Sequence, residues 1–526
     1  MNLRKQLSSY IALNNYVEAI RESTSSIVLT DAITNGLIDL QLKGSEVKNK
    51  PEAEHTVPTP DYPLDIVCNN GVLKVSPNLF DKNASYALFN GYINNVSVGG
   101  NTTLIAYSGG DKAIIIKVAP NTTYTVTRVT NLGSVYDRIR CAAFTTLPSN
   151  GSAGVILCNY MNTTQANATF TTLSDTQYVA INVRNSGAVG DDWTQFVDAF
   201  QLEKGSTATQ YRPYGQIYAD GTPETVTITG KNLLDINKTS GAGYLNTSGR
   251  LVPFDNYYCS DYIEIKPSTV YTYTETMKSA DNDNYIRFCF YDSNKTFIPP
   301  RQGDTPTTEA KTYTYKITSP VNAKYIRISS NSNFVKGQLE EGIRPTKYEE
   351  YYQASFTPED LLKLSDYQDV QNVLDGIVTR NVGIKVLDGT EGWTRYGTGK
   401  FAMPLIGSKK QDNQEAPFAT HFVGTSHNNV PLKDGYVSVF NGSVAPTSGA
   451  LGVNYQATPE VEQFKQWLAD QYAAGTPVIV VYPLADTVEE TVESRDVFIT
   501  SGTNTIERNS EYVASDGITV KYKKLR

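Results

Sequence analysis

The stretch QLEKGSTATQYRPY (201–214) returns 137 residues later as QLEEGIRPTKYEEY (338–351). Further matches lie upstream of both copies: NLFD (78–81) corresponds to NLLD (232–235), and YVAI (178–181) corresponds to YIRI (325–328). The pair Ile139-Arg140 matches Ile286-Arg287 at an offset of 147 residues, and the YVAI match has the same offset. Because the order is kept and the central offset is constant, these matches indicate an internal repeat of one structural unit.

Each copy of the repeat is built of short alternating runs, such as TTYTVTRV (122–129) and TVYTYTETM (269–277), bounded by Pro, Gly and Asn turns. This spacing is typical of antiparallel β-sandwiches. We therefore predict a mainly β fold: tandem antiparallel β-sandwich (jelly-roll) modules with a short N-terminal helix and a C-terminal α+β/β unit. Module 1 spans 78–214 and module 2 spans 215–352. The repeat makes Leu79, Tyr124, Ile139, Tyr178 and Leu202 equivalent to Leu233, Tyr271, Ile286, Tyr325 and Leu339.

Four further regions flank the modules. Residues 1–44 form an N-terminal attachment segment, with a helix over 1–22, and residues 45–77 form a proline-containing linker with short strands. Residues 353–489 form a C-terminal β-rich unit with one helix, and residues 490–526 form terminal β-strands. Because a short helix alone is marginal in water, the N-terminal helix needs a partner to cover its apolar face.

The C-terminal unit contains the strongest helix signal. Thr458 is the expected N-cap, Pro459 is the expected first helical residue, and Gly475 ends the helix. A further short helix is predicted to begin at Thr357-Pro358.

Composition excludes several classes of protein. Lys and Arg number 46 against 54 Asp and Glu, a net charge of −8 without a basic block, so we expect no nucleic-acid partner. The odd number of cysteines, five, and the lack of a CxxC pair argue against a disulfide framework or a zinc site. No run approaches the length of a membrane span, so we expect no membrane insertion. No hydrolase, P-loop or zinc-protease motif occurs, and we predict that the chain is not an enzyme.

The quoted repeat, together with PTPDYPLDIV (58–67), GTPETVTITGKNLLD (221–235) and FKQWLADQYAAGTPVIVVYPLADTVEE (464–490), resembles bacteriophage tail-fibre and baseplate proteins that carry carbohydrate-binding-module-like jelly rolls. The resemblance covers most of residues 55–490. It implies a virion structural protein of the tail, assembled in the host cytoplasm, with other tail proteins and host cell-surface polysaccharide as partners. It also implies a homotrimer, attached through residues 1–44.

Two groups of residues are candidate sites. Trp193, flanked by Asp191 and Asp192, lies in a ten-residue insertion of module 1, where a ring and carboxylates suit a sugar; alternatively, the ring is buried. Glu203 and Glu340 end the repeated motif. They fix a turn at the end of a strand or, as the resemblance implies, bind a structural calcium ion, and no other cofactor is expected. The repeated Arg140 and Arg287 are expected to form ion pairs or to extend to solvent.

Three functions remain open. The first is host-surface glycan recognition by the sandwich modules. The second is a purely architectural adaptor role in the tail or collar without glycan binding. The third is a glycan-cleaving tail enzyme.

Overall fold

A computed structural model describes residues 24–29, 41–43, 45–46, 48–50, 57–94, 97–107, 111–128, 139–160, 167–184, 200–279, 281–373, 375–408, 416–442, 444–445, 449–495 and 504–509. The predicted N-terminal helix over 1–22 lies outside these residues. Within them the chain is mainly β, as predicted.

Short β-strands make up most of the elements along the chain. The strands before module 1 are β1 (Thr24–Leu29), β2 (Gln41–Lys43), β3 (Ser45–Glu46), β4 (Lys48–Lys50), β5 (Asp65–Cys68) and β6 (Gly71–Val75). Those of module 1 are β7 (Leu88–Ile93), β8 (Asn101–Ala106), β9 (Asp111–Lys117), β10 (Thr123–Arg128), β11 (Ile139–Phe144), β12 (Ala153–Tyr160), β13 (Asn167–Thr171), β14 (Tyr178–Arg184) and β15 (Phe200–Lys204). Two strands follow, β16 (Ile217–Asp220) and β17 (Thr225–Thr229). Those of module 2 are β18 (Thr239–Leu245), β19 (Leu251–Ser260), β20 (Ile263–Glu264), β21 (Val270–Met277), β22 (Asp281–Tyr291), β23 (Phe297–Thr307), β24 (Thr312–Thr318), β25 (Tyr325–Asn331) and β26 (Phe334–Glu341). The remaining elements are β27 (Gln353–Phe356), β28 (Leu362–Leu364), β29 (Tyr367–Gln368), β30 (Val370–Asn372), β31 (Ile377–Leu387), β32 (Thr394–Gly397), β33 (Lys400–Leu405), β34 (Phe418–Ala419), β35 (Val423–Gly424), β36 (Tyr436–Phe440), β37 (Gly449–Asn454), the helix α1 (Val461–Ala474), β38 (Val478–Thr491) and β39 (Asn504–Asn509).

The two modules share one strand order. Module 1 has a three-stranded sheet, β13-β10-β15, and module 2 has its counterpart, β24-β21-β26. The second layer runs β12-β11-β14-β9-β7 in module 1 and β23-β22-β25-β19-β18 in module 2, where β20 also pairs with β25. Apolar side chains of both layers meet in one core in each module, around Tyr124 in the first and Tyr271 in the second.

The pairing register also follows the repeat. Arg140 pairs with Asn182 in module 1, and Arg287 pairs with Ser329 in module 2, so both partners are shifted by the same 147 residues. Alternation along these strands places every second side chain in the core.

The modules differ in one strand. In module 1, β8 pairs with both β7 and β12 and so closes the second layer into a barrel. Apolar residues fill the inside of this barrel, among them Ile93, Leu104 and Phe144. No described strand of module 2 closes its second layer in this way, so that layer stays an open six-stranded sheet.

The C-terminal unit packs α1 against two five-stranded sheets, β2-β30-β31-β38-β34 and β32-β33-β37-β36-β35. The helix forms where predicted and ends at Gly475, but it begins two residues later than expected. Its N-cap is Glu460, which forms a capping box with Gln463, in place of the predicted Thr458. The reciprocal bonds between Glu460 and Gln463 satisfy two backbone N–H groups at the helix start.

The short helix predicted to begin at Thr357-Pro358 is not formed. The segment leads into the short strands β28, β29 and β30. There the side chain of Asp369 accepts hydrogen bonds from the backbone N–H groups of Leu362, Asn381 and Val382, which holds the strands together. These tertiary contacts outweigh the local signal for a helix.

The segment predicted as a linker takes part in two sheets. Strand β4 pairs with β5, and β3 pairs in parallel with β28. The hairpin β5-β6 shares a core with the C-terminal unit through Ile66, Leu73 and Val481. Strands β1, β39, β17 and β27 form a further four-stranded sheet, although they come from distant parts of the chain. No helix among the described residues combines the length and the apolar character that a membrane crossing requires.

Candidate functional site

The open sheet of module 2 carries a group of aromatic side chains on its outer face. Strand β22 directs Ile286, Phe288 and Phe290 into the core, so Tyr285 and Arg287 point to the opposite side. Two further strands of the sheet, β18 and β19, bring more rings to the same place. Together, Tyr244, Phe254, Tyr257, Tyr285 and Arg287 form the aromatic face.

Arg287 lies at the centre of the aromatic face. Its guanidinium carbon is 4.8 Å from the ring centroid of Tyr244, 5.1 Å from that of Tyr285 and 5.6 Å from that of Tyr257. These distances are within the range of cation–π attraction. The rings also contact one another, since the centroids of Tyr244 and Tyr257 are 5.5 Å apart and those of Phe254 and Tyr257 are 5.8 Å apart.

The aromatic face combines fixed and exposed side chains. Tyr257 is buried, and its hydroxyl oxygen accepts a hydrogen bond of 2.8 Å from the backbone N–H of Tyr285. Phe254 is 51% exposed, although it is one of the largest apolar side chains of the module. Asn331 pairs in register with Tyr257, and its buried Nδ2 has no hydrogen-bond partner among the described residues. The site thus presents an exposed ring and a half-buried cation on one surface, while the amide of Asn331 is buried beside Tyr257.

Part of the outer face of this sheet is buried by an apolar cluster. Leu245, Cys259, Cys289 and Tyr291 form a small apolar cluster there. Burial raises the pKa of the Cys259 thiol to about 11, although Arg327, which donates to its sulfur at 3.3 Å, opposes the shift. The thiol is therefore protonated at neutral pH, which makes it a weak nucleophile.

The equivalent face of module 1 has a different role. Arg140 matches Arg287 in the repeat, but it is buried and donates to the carbonyl oxygen of Ile93 at 2.6 Å and to Oδ1 of Asn159 at 3.3 Å. Barrel closure by β8 covers this face with an apolar core. The two repeated arginines therefore hold a barrel together in one module and lie among aromatic rings in the other.

Glu203 and Glu340 lie at equivalent places at the end of each module, and both are buried. Glu340 accepts hydrogen bonds from the backbone N–H and the hydroxyl of Thr346, at 2.8 and 2.7 Å, and from Nε2 of Gln338 at 2.7 Å. Glu203 has the same contacts with Thr209 and Gln201. These hydrogen bonds hold the turn that follows the strand, which is the first of the two interpretations of Glu203 and Glu340. Within the described part of the chain, no three His, Cys, Asp or Glu side chains gather in a group that could hold a metal ion.

The predicted sugar contacts Trp193, Asp191 and Asp192 lie outside the described residues. Their assignment stays a prediction. Sequence reasoning missed the aromatic face, whose residues come from three separated strands. The segment FDNYYCSDY (254–262), with its four aromatic residues, was the signal that could have indicated it.

Two clefts occupy equivalent places on the modules. The first, of about 550 Å³, is lined by Asp81 and Tyr214, and the second, of about 440 Å³, by their counterparts Asp235 and Tyr351. In module 1 the C-terminal unit borders the cleft. There the hydroxyl of Tyr214 donates to Asp388 at 2.8 Å, and its ring centroid is 4.9 Å from that of Tyr472 on α1.

No protein-family model and no curated protein matches the chain. Among solved structures, the tandem CBM22 domains of Xyn10C from Paenibacillus barcinonensis are 10% identical, covering 52% of this chain and 97% of theirs, with a TM-score of 0.16. The tandem CBM51 modules of Sp3GH98 from Streptococcus pneumoniae are 10% identical, covering 61% of this chain and 98% of theirs, with a TM-score of 0.13. The VP2 subviral particle of infectious bursal disease virus is 9% identical, covering 99% of this chain and 86% of its own, with a TM-score of 0.12. At these TM-scores the likenesses carry no argument about fold or function.

Proposed function

We propose that the chain is a structural protein of a phage tail fibre or baseplate that recognises a host-surface glycan, and that module 2 makes the contact. One observation carries the glycan part: an exposed phenylalanine, two half-buried tyrosines and a half-buried arginine share one open sheet face. Sugars present apolar C–H surfaces that stack on rings and hydroxyl groups that bond to polar neighbours. The tail location rests on the sequence resemblance alone.

The architectural alternative is favoured for module 1. Its second layer is closed and filled, and its cleft is in contact with the C-terminal unit through Tyr214. We therefore propose a division of labour in which module 1 supports the particle and module 2 binds sugar. We also propose that the chain does not cleave glycans, and a test for reducing-sugar release from host polysaccharide checks this point.

A matched pair of variants tests the glycan site. Phe254→Ala removes the exposed ring of the aromatic face, whereas Tyr107→Ala removes a half-exposed ring of module 1, whose contact with Tyr92 is of the same edge type. On a glycan array and in host-cell adsorption, we expect binding to fall for Phe254→Ala alone, with both variants as stable as the parent. Trp193→Ala in the same assay decides between the two candidate sites. Unchanged binding by Phe254→Ala would exclude the aromatic face.

Immunogold labelling of phage particles tests the tail location. Label at the tail tip or baseplate is the expected result. Label confined to the collar would support the adaptor role, and absence of label from particles would refute the virion proposal.

A further inference from the structure

Cations lie on tyrosine rings along the whole outer face of the module 2 sheet. Beyond Arg287, the guanidinium carbon of Arg327 is 4.9 Å from the ring centroid of Tyr262. Nζ of the exposed Lys295 is 4.8 Å from the same centroid and 5.9 Å from that of Tyr325. Lys295 is exposed and Arg287 is half-buried. Arg327 is buried and its guanidinium donates to the carbonyl oxygen of Ser260 and to Sγ of Cys259, so it adds positive potential to this face without reaching solvent.

The register places two of these cations close together. Arg287 pairs with Ser329, and Arg327 lies two residues before Ser329 on the same strand. Such diagonal neighbours in an antiparallel pair are about 7–8 Å apart. Arg301, whose Nη1 donates to the carbonyl oxygen of Leu245 at 3.1 Å, adds a further positive charge to this sheet from β23.

This local charge contrasts with the whole chain. The protein has a net charge of −8 and therefore repels anionic polymers in general. A cationic face on such a protein gives an anionic polymer one favourable place to bind.

Three tyrosine rings surround the guanidinium group of Arg287, with centroids 4.8 to 5.6 Å from its Cζ. An arginine side chain can donate paired hydrogen bonds to a carboxylate or a phosphate. Arg287 is therefore the residue of this face that suits an acid group.

We infer that the aromatic face binds an acidic saccharide, whose sugar rings stack on Phe254 and Tyr244 and whose carboxylate or phosphate groups contact Arg287, with the charges of Arg327 and Lys295 adding to the attraction. The inference rests on the proposed glycan function and narrows the ligand to one chemical class. Neutral saccharides would use the rings but gain nothing from the cations.

A panel of paired glycans tests the ligand class with the full-length chain. Each pair consists of an acidic polysaccharide, such as polygalacturonate, and the same polymer with its acid groups reduced or removed. We expect the acidic member of each pair to bind more tightly than the neutral one, and this advantage to shrink as salt is raised. Equal binding to both members would overturn the inference and leave the glycan function intact, whereas no binding to any member would overturn both.

Charge variants test the position of the acid group. Lys295→Gln removes an exposed cation of the face, and Lys336→Gln removes an exposed lysine that lies 5.2 Å from the Tyr348 ring on the other sheet. Arg287→Gln should weaken binding of the acidic polymer about tenfold or more, since a charge-assisted hydrogen bond is lost. We expect a smaller loss for Lys295→Gln and none for Lys336→Gln. Equal losses for the two lysine variants would show that the overall charge of the protein, and not this face, governs binding. Both lysines are exposed, so this comparison remains valid even if Arg287→Gln fails to fold.

Discussion

Glu275 is a buried carboxyl group in the core of module 2. Its Oε1 accepts a hydrogen bond from the hydroxyl of Ser330, and its Oε2 accepts one from the hydroxyl of Tyr273, both at 2.5 Å. Burial raises the pKa of Glu275 to about 7, although both hydrogen bonds oppose the shift. The folded protein therefore holds this group in its protonated form under mildly acidic conditions.

This raised pKa predicts a pH-dependent stability of module 2. The pKa of Glu275 is higher in the folded state than in the unfolded state. Its contribution to the free energy of unfolding is therefore complete below about pH 4.5 and is lost as the pH rises through about 7. The loss amounts to about 3 kcal/mol of the free energy of unfolding. Glu275→Gln should remove this dependence, as measured by urea denaturation followed by circular dichroism at pH 5 and pH 8. The exposed Glu350→Gln is the control, and a Glu275→Gln variant that keeps the parental slope would contradict the assignment.

The contacts of Glu340 predict how the end of module 2 responds to substitution and to chelation. Thr346→Val removes the hydroxyl donor to the buried carboxylate and should lower the free energy of unfolding by about 1–3 kcal/mol. Addition of EDTA should leave the melting temperature unchanged, because protein groups hold this carboxylate. A lower melting temperature in EDTA, restored by calcium, would support the calcium interpretation instead.

The sequence predicted the structural role of some single residues and not of others. The repeat identified Glu203 and Glu340 as structurally equivalent, because both copies keep the threonine and glutamine that bind them. It did not reveal the different surroundings of Arg140 and Arg287, since these depend on residues from strands far away in the chain. The ring partners Tyr244 and Tyr257 become neighbours of Arg287 only once the strand register is known.

At the scale of elements, the end of α1 yields a testable prediction. Gly475 has φ = 84°, in the left-handed region, and a Cβ added there would meet no atom within 4 Å. Gly475→Ala should therefore destabilise the C-terminal unit by about 1 kcal/mol through backbone strain alone. Fluorescence of Trp393 and Trp467 during urea denaturation measures this unit. Gly392→Ala, also in open space, serves as the control, and an equal loss in both variants would point to another cause.

The elements also show where alternation and capping signals reach their limit. Val382, Ile384 and Val386 alternate with polar or small residues, a pattern typical of a strand, and they lie in β31; the apolar run that starts at Val478 is likewise typical of a buried strand and begins β38. Strand β8 has no local feature that distinguishes an ordinary strand from one that closes a barrel. The signal at Thr357-Pro358 is a helix start by local criteria, yet the hydrogen bonds to Asp369 hold the chain that follows in strands. In such cases, pairing with strands that are distant in the chain determines the secondary structure, and local residue propensities contain no information about that pairing.

At the scale of the whole molecule, the N-terminal region divides into two parts. A chain that begins at Thr24 keeps β1, whereas a chain that begins at Thr56 also lacks β1 to β4, which pair with β39, β30, β28 and β5. We expect both truncations to fail to join phage particles, because residues 1–23 are removed in each. Only the truncation at Thr56 should have a lower melting temperature. Incorporation of the Thr24 chain into particles would exclude residues 1–23 from the attachment site, and incorporation of the Thr56 chain would place that site outside residues 1–44.

The oligomeric state belongs to the same scale. We predict a homotrimer from the resemblance to tail fibres, and analytical ultracentrifugation of the full chain measures it. A monomer at micromolar concentration would contradict this prediction.

The sheet that joins β1 to β39 has a consequence for synthesis on the ribosome. Leu29 pairs with Asn504, and between them lie both modules and the C-terminal unit. At about 5–20 residues per second, this interval takes roughly 24 to 95 s to translate. Throughout that time β1 has no β39 to pair with, and its unpaired edge is open to other nascent chains. Modules 1 and 2 can fold as they emerge, whereas this sheet forms last and completes only on chains translated through Asn509.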